Sequence, residues 1–225
     1  MSSFFIPLSI CNELDRIFKK FWWGFPSSKK RNLSLKAWDS LCIPKLLGGL
    51  GLRKMREVNL ALITKLGWKL LTNSDSLWVS QMHCKYLNSS SFLSPPSPSS
   101  SSSRLWKGII QFFPFISKGA CYRIHSSSSL PIWSSNWILT ITLLTLTTLL
   151  TQPYPILKVS DLLISDQSQL APSWNKPLLQ YLFDTTIVGE ILKIKISTFA
   201  EGKFHWTHAA NGQFTTKSAF KMITS

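Results

Sequence analysis

Residues 44–71, PKLLGGLGLRKMREVNLALITKLGWKLL, constrain this chain more than any other stretch. The segment opens on Pro44, and Gly48, Gly49 and Gly51 then follow within four residues. That composition asks for a tight backbone with φ > 0, which glycine adopts without steric penalty. A long helical pattern comes next. At about 100° per residue, Met55, Asn59, Leu62, Ile63, Leu66 and Leu70 share one broad face. Lys54, Lys65 and Lys69 gather beside it, and Leu60, Trp68 and Leu71 occupy a third region. The periodicity alone fits a core helix with snorkelling lysines. A helix that pairs a core stripe with a basic ridge is the other reading.

Charge decides what such a ridge could serve. The chain has 25 Lys and Arg against 10 Asp and Glu, a net charge of +15. That balance argues for an anionic partner and says nothing about fold. Seven basic residues and no acid lie between Arg16 and Lys36. Ten tryptophans could stack on bases beside a basic groove, although tryptophans of a folded chain are mostly core. The four cysteines, Cys11, Cys42, Cys84 and Cys121, have no short spacing. Reduced thiols in an intracellular, nuclear or cytoplasmic setting are therefore expected, since no signal peptide is recognisable. No run of 18 apolar residues occurs, so no membrane span is expected.

Residues 18–71 resemble the segment that follows the polymerase core in plant LINE-type (non-LTR) retrotransposon reverse transcriptases. The matching residues are Phe21, Trp23, Gly24, Trp38, Cys42, Pro44, Lys45, Gly48, Gly49, Leu50, Gly51, Asn59, Ala61, Leu62, Lys65, Leu66, Trp68, Lys69 and Leu70. Leu77, Trp78, Lys85 and Tyr86 continue the likeness. Near the other end, Trp206, Gly212, Phe214, Thr215, Lys217, Ser218, Ala219 and Phe220 resemble the start of the zinc-binding domain that follows reverse transcriptase in that family. The resemblance implies that the chain begins inside a longer polyprotein, and that the family's zinc-binding Cys and His residues lie beyond Ser225. One departure concerns Trp133 and Trp137, which flank Ser134, Ser135 and Asn136 where the family carries an acid.

Read in order, the chain is mainly α with a small antiparallel β element (α+β): a helical N-terminal unit, a Ser/Pro linker and a mixed C-terminal unit. Residues 1–87 form a basic, thumb- or connection-like helical unit. Its first helix carries Ile10, Leu14, Ile17, Phe18 and Phe21 on one face, with Ser9 as N-cap and Lys19 and Lys20 near its end. Ser34 is the expected cap of a short helix anchored by Trp38, and Ser74 of a helix over 73–87. Residues 88–103, NSSSFLSPPSPSSSSS, are too poor in apolar surface to order themselves and read as a flexible linker. Residues 104–200 form a mixed unit: a stretch over 104–118 that is helical at first, strands over 120–125 and 130–133 joined by a serine turn, and two short helices with an extended tail over 176–197. In those helices Leu178, Leu179, Leu182 and Phe183 share one apolar face, and Ile187, Ile191 and Leu192 the next. Residues 201–225 are the truncated start of the zinc-binding domain. Their expected hairpin turns at Asn211–Gly212, and a helix follows from Ser218. The uncharged run 138–151, ILTITLLTLTTLLT, reads as unconstrained sequence.

Chemistry that the sequence lacks is as informative. The acids before residue 90 (Glu13, Asp15, Asp39, Glu57, Asp75) are scattered, whereas two-metal polymerisation needs clustered aspartates. His205 and His208 are the best metal candidates, but three-residue spacing on a strand turns them to opposite faces. No catalytic residue, metal site or cofactor is expected. The expected function is a non-catalytic fragment of a reverse transcriptase polyprotein. It would bind RNA or DNA without sequence preference through Lys19, Lys20, Lys29, Lys30, Arg31, Lys54, Lys65 and Lys69. Two alternatives stay open: a structural connector or decayed product without activity, and a part of an RNA-directed DNA polymerase active only in the full-length protein. The oligomeric state is not readable.

Overall fold

A computed structural model describes residues 4–24, 34–73, 75–87, 92, 95–125, 128–133, 136–138, 158–164, 172–197 and 204–224. In chain order its helices are α1 (Leu8–Trp22), α2 (Trp38–Cys42), α3 (Met55–Leu71), α4 (Leu77–Met82), α5 (Arg104–Gln111), α6 (Phe113–Gly119), α7 (Lys176–Leu182), α8 (Thr185–Lys193) and α9 (Thr216–Thr224). The strands are β1 (Ala120–Tyr122), β2 (Leu163–Ile164), β3 (Ser173–Trp174) and β4 (Phe204–Trp206), in two antiparallel pairs. The molecule is thus mainly α with a small antiparallel β element. Two compact units divide it: residues 1–116 with 214–225, and residues 117–213. These bounds do not follow the segments drawn from sequence, because α9 returns to the first unit and packs along α3.

The first unit is organised by α3. Its entrance needs glycine: Gly48 and Gly51 have φ of +85° and +69°, and a Cβ on Gly49 would fall 1.9 Å from the Ile43 carbonyl oxygen. Burial then runs along two faces of the helix. Met55, Asn59, Ile63 and Leu70 are buried as the periodicity predicts, but so are Leu60, Thr64, Gly67 and Leu71, while Leu62 and Leu66 are only half-buried. The reason is that α1, α5 and α9 all pack against it, and a helix covered on several sides needs apolar residues all round. Of its two buried polar side chains, Thr64 Oγ1 donates to the Leu60 carbonyl at 2.9 Å, and the other is Asn59. Its Oδ1 accepts from the Ile6 amide at 2.9 Å and its Nδ2 donates to the Phe4 carbonyl at 3.0 Å, which clips the extended lead to the helix.

Several capping expectations need correction. Helix α1 starts at Leu8, with the Pro7 carbonyl accepting from Ile10 and Cys11. The proline ring presets φ for the first turn, so Ser9 lies inside the helix and caps nothing. Of the expected apolar stripe only Leu14 is even half-buried. Ile10, Ile17, Phe18 and Phe21 face solvent, Phe21 at 82 % exposure, and Cys11 is the residue that enters the core. Helix α2 begins after Ala37, without a side-chain cap, so Ser34 is not its cap. Leu41, rather than half-buried Trp38, is its anchor. Ser76, not Ser74, caps α4 by accepting from the Val79 amide, and the chain continues as a π-helical turn over His83–Leu87. Ser74 lies outside the described residues.

The serine- and proline-rich stretch is not idle where it is described. Phe92 is buried, edge-on to Trp106 and Phe113. The Ser103 amide donates to the Tyr86 hydroxyl, and Ser103 Oγ caps α5. Tyr86 and Trp106 stack at 4.6 Å. The stretch 104–118, expected to be helical at its start, forms two helices, α5 and α6, separated at Phe112.

In the second unit, β1 pairs antiparallel with β4 in the register Ala120↔Trp206, Cys121↔His205, Tyr122↔Phe204. Local spacing predicts a nearer partner for each of these strands, 130–133 for the first and 213–215 for the last. Residues 130–133 form no strand, and β4 does not hairpin with 213–215. Instead Ser128 closes a turn with His125, and Gly212, at φ +68°, returns its carbonyl to the Trp206 amide at 2.8 Å. One apolar core gathers Ile124, Ile132, Trp137, Ile138, Val159, Leu162, Trp174 and the inner faces of α7 and α8. Asn175 and Asp184 cap those two helices through their side-chain oxygens. Leu179, Phe183, Ile187 and Ile191 are buried as expected, whereas Val188 fills the place assigned to Leu192, which is 40 % exposed. Of the run 138–151, only Ile138 is described.

Candidate nucleic-acid interface

The candidate cations fall into separate groups. Lys19 and Lys20 close the last turn of α1, where positive charge complements the helix dipole. Lys65 is exposed and Lys69 half-buried on α3, one turn apart. No ion pair engages any of these four among the described residues. Lys29, Lys30 and Arg31 lie outside the described residues.

Lys54 is different. Its Nζ stands 2.6 Å from Asp39 Oδ1, and that hydrogen bond, against the opposing effect of burial, raises its pKa above the ordinary lysine value. A charge so engaged is less available to a phosphate. The cleft around it, about 440 Å³, is lined by Arg16, Lys19, Lys54 and Arg56, but also by Asp15, Asp39 and Glu57. Burial pushes the Glu57 carboxyl up, with nearby Lys54 opposing the shift. Asp15 Oδ1 accepts from the Met55 amide at 3.0 Å. Helix α1 thus supplies the acid that satisfies an orphan N–H at the start of α3.

The basic ridge read from the sequence is therefore not continuous. Lys54 sits in a mixed-charge cleft at the start of α3. Lys65 and Lys69 stand 11 and 15 residues further on, about 16 and 22 Å along the axis at 1.5 Å per residue. Only a strand several nucleotides long could bridge both ends.

A basic cluster that the sequence reading missed lies beside it. Helix α9, packed along α3, brings Lys217, Phe220 and Lys221 to Arg53, in a cleft that Lys54, Asp39 and Glu57 also line. The Arg53 guanidinium lies 5.0 Å from the Phe220 ring centroid, a favourable cation–π distance. The i, i+4 spacing of Lys217 and Lys221 was legible, but Arg53, which they meet, is more than 160 residues away in the chain.

His205 and His208 do not form a site together. Burial holds both imidazoles below the ordinary histidine pKa, with Arg123 adding to the effect at His205 and Lys118 at His208. Among the described residues, no three His, Cys, Asp or Glu side chains cluster, and all four cysteines are free thiols. No described helix is long and apolar enough to cross a membrane.

Comparison with known proteins gives two relatives from the plant Arabidopsis thaliana. One, named "Putative ribonuclease H protein", is 29 % identical over 240 residues, which take in 100 % of this chain and 36 % of that protein. This chain thus spans about a third of that relative's length. The other, named "Uncharacterized mitochondrial protein", is 29 % identical over 140 residues, covering 62 % of this chain and 90 % of its own length. No family model matches the chain. No solved structure matches it.

Proposed function

We infer that this chain is a non-catalytic segment of a plant LINE-type (non-LTR) retrotransposon reverse transcriptase polyprotein. It spans the post-polymerase region and the start of the zinc-binding domain, and it binds RNA or DNA without sequence preference. The observation that carries this reading is the full-length similarity to a larger protein named for ribonuclease H, an activity on nucleic acid. The family-like residues at both ends of the chain support it. So do Lys19, Lys20, Lys65 and Lys69, which no ion pair engages among the described residues, and the Arg53, Lys217 and Lys221 cluster. A nuclear or cytoplasmic location goes with this reading.

Fluorescence anisotropy of a labelled single-stranded RNA across a salt series tests the binding. If Lys19, Lys20, Lys65 and Lys69 each meet a phosphate, log K falls against log salt with a slope of about −3, or about 50-fold between 50 and 200 mM. No binding at low salt overturns the reading. Primer extension and hybrid-cleavage assays with Mg²⁺ should give no turnover by the chain alone, and turnover would overturn its non-catalytic part.

A second reading, a connector bracing other parts of a longer protein, is favoured by α1. Its Ile10, Ile17, Phe21 and Trp22 present large apolar surface to solvent, which single surface hydrophobes do not usually amass.

A further inference from the structure

Helix α1 and the start of α3 enclose a further groove in the first unit, of about 270 Å³. Its α1 wall is aromatic. Phe18, Phe21 and Trp22 stand at i, i+3 and i+4, the spacing that places side chains together on one helix face. All three are open to solvent, Phe21 at 82 % and Trp22 at 48 % exposure. Half-buried Trp38 forms part of the opposite side, and Arg53 is the charged residue that lines the groove. Among the described residues no ion pair engages Arg53, whose guanidinium rests 5.0 Å from the Phe220 ring centroid. Lys19 and Lys20 share the last turn of α1 with Phe21 and Trp22.

Backbone hydrogen bonds fix both sides. Gly24, at φ +62°, closes the end of α1 by donating its amide to the Phe21 carbonyl at 3.0 Å. The Leu41 carbonyl accepts from the Leu50 amide at 3.0 Å and from the Leu52 amide at 3.4 Å, which ties the approach to α3 onto α2. Asp15 Oδ1, accepting from the Met55 amide, joins α1 to the first residue of α3.

Exposed aromatic faces on a fixed frame call for a flat apolar occupant, and charge selects which one. The first unit carries 18 Lys and Arg against 5 Asp and Glu. A second copy of such a surface is repelled, and a polyanion is drawn in. A lipid surface takes up the outward apolar face of a helix lying in its plane, whereas these rings line a recess. The bases of a single strand meet both demands, since each has a flat π-face and each is tethered to a phosphate. We propose that this groove holds an unpaired base of single-stranded RNA or DNA against Phe21 and Trp22, with the neighbouring phosphates at Arg53, Lys19 and Lys20. The proposal rests on the reading that the chain binds nucleic acid, and it adds the place where a base is held and a preference for single strands.

The test uses the full chain and two fluorescein-labelled octamers of equal charge, (dT)8 and an abasic strand. Anisotropy should show the abasic strand binding more weakly. Phe21 is too exposed for its loss to disturb the fold. Phe21→Ala should therefore weaken (dT)8 binding about five- to a hundredfold, the effect of one lost base–aromatic stack. The slope of log K against log salt should not change, because no phosphate contact is lost. Phe21→Trp should restore the affinity, and abasic-strand binding should ignore both variants. Arg53→Gln should instead make the slope about 0.7 shallower. Equal affinity for the two octamers, or (dT)8 binding that ignores Phe21→Ala, overturns the proposal and leaves the salt-dependent binding of the chain standing. No binding of either strand at low salt overturns both. Phosphatidylserine vesicles and sedimentation equilibrium complete the test. Loss of vesicle binding or of a dimer in Phe21→Ala, with (dT)8 affinity unchanged, overturns the proposal and assigns the face to lipid or to a second copy.

Discussion

The two units differ in charge more than in size. The first holds 18 Lys and Arg against 5 Asp and Glu, net +13, and the second 7 against 5, net +2. The first unit threads its apolar residues along one central helix and leaves α1 half-naked. The second closes around a single core with paired and capped elements. A unit with a net charge of +13 accepts self-repulsion, which an anionic partner relieves. In the near-neutral unit three of the seven cations, Arg123, Lys193 and Lys195, line one cleft. Non-specific affinity for polyanions is accordingly expected of the first unit and a shaped pocket of the second.

The sharpest test of this contrast removes the floor of the second core. Trp137→Ala should destabilise the second unit by about 3–5 kcal/mol, read as a lower urea midpoint by circular dichroism. A change below 1 kcal/mol would mean that the core is looser than described. In the first unit, Asn59→Ala leaves the buried Ile6 amide without its acceptor and should reduce stability by about 1–3 kcal/mol. Hydrogen exchange at Ile6 would accelerate if that clip is real.

Lys65→Gln with Lys69→Gln should make the salt slope of RNA binding about 1.4 shallower, as anisotropy would show. An unchanged slope would move the interface to the Arg53, Lys217 and Lys221 cluster. The histidines separate the units by pH. The folded pKa values of His205 and His208 lie below the ordinary value, so the unfolded chain takes up protons first. Stability of the second unit is then complete above about pH 6.5 and falls as pH drops toward and through the folded values. His205→Asn should flatten that decline in thermal melts between pH 7.5 and 5. The smallest effect belongs to Lys54 and Asp39. With Asp39 79 % exposed, Asp39→Asn should change stability by only about 0.2–1 kcal/mol, while freeing Lys54 to tighten RNA binding slightly.

How much was legible varied with distance along the chain. The glycine turn before α3, the caps' general chemistry and the helices α7, α8 and α9 follow from local spacing. Strand pairing did not, because β1 and β4 are 80 residues apart and each carried a plausible nearer partner. Capping serines were misplaced by two to three residues because Pro7 and Ser76 set the starts, and periodicity locates a helix better than its first turn. The basic ridge failed at Lys54 because its acid, Asp39, comes from another element.

By itself the sequence determined the helical character, the glycine turn, the excess positive charge and the family-like residues at either end, since all of these are local or additive properties. Only the tertiary structure decided that Lys54 pairs with Asp39, that α9 carries Lys217 and Lys221 to Arg53, and that Arg123 and Lys195 share one cleft. Each of those depends on which distant segments pack together, and that is settled by burial and backbone pairing across the whole chain.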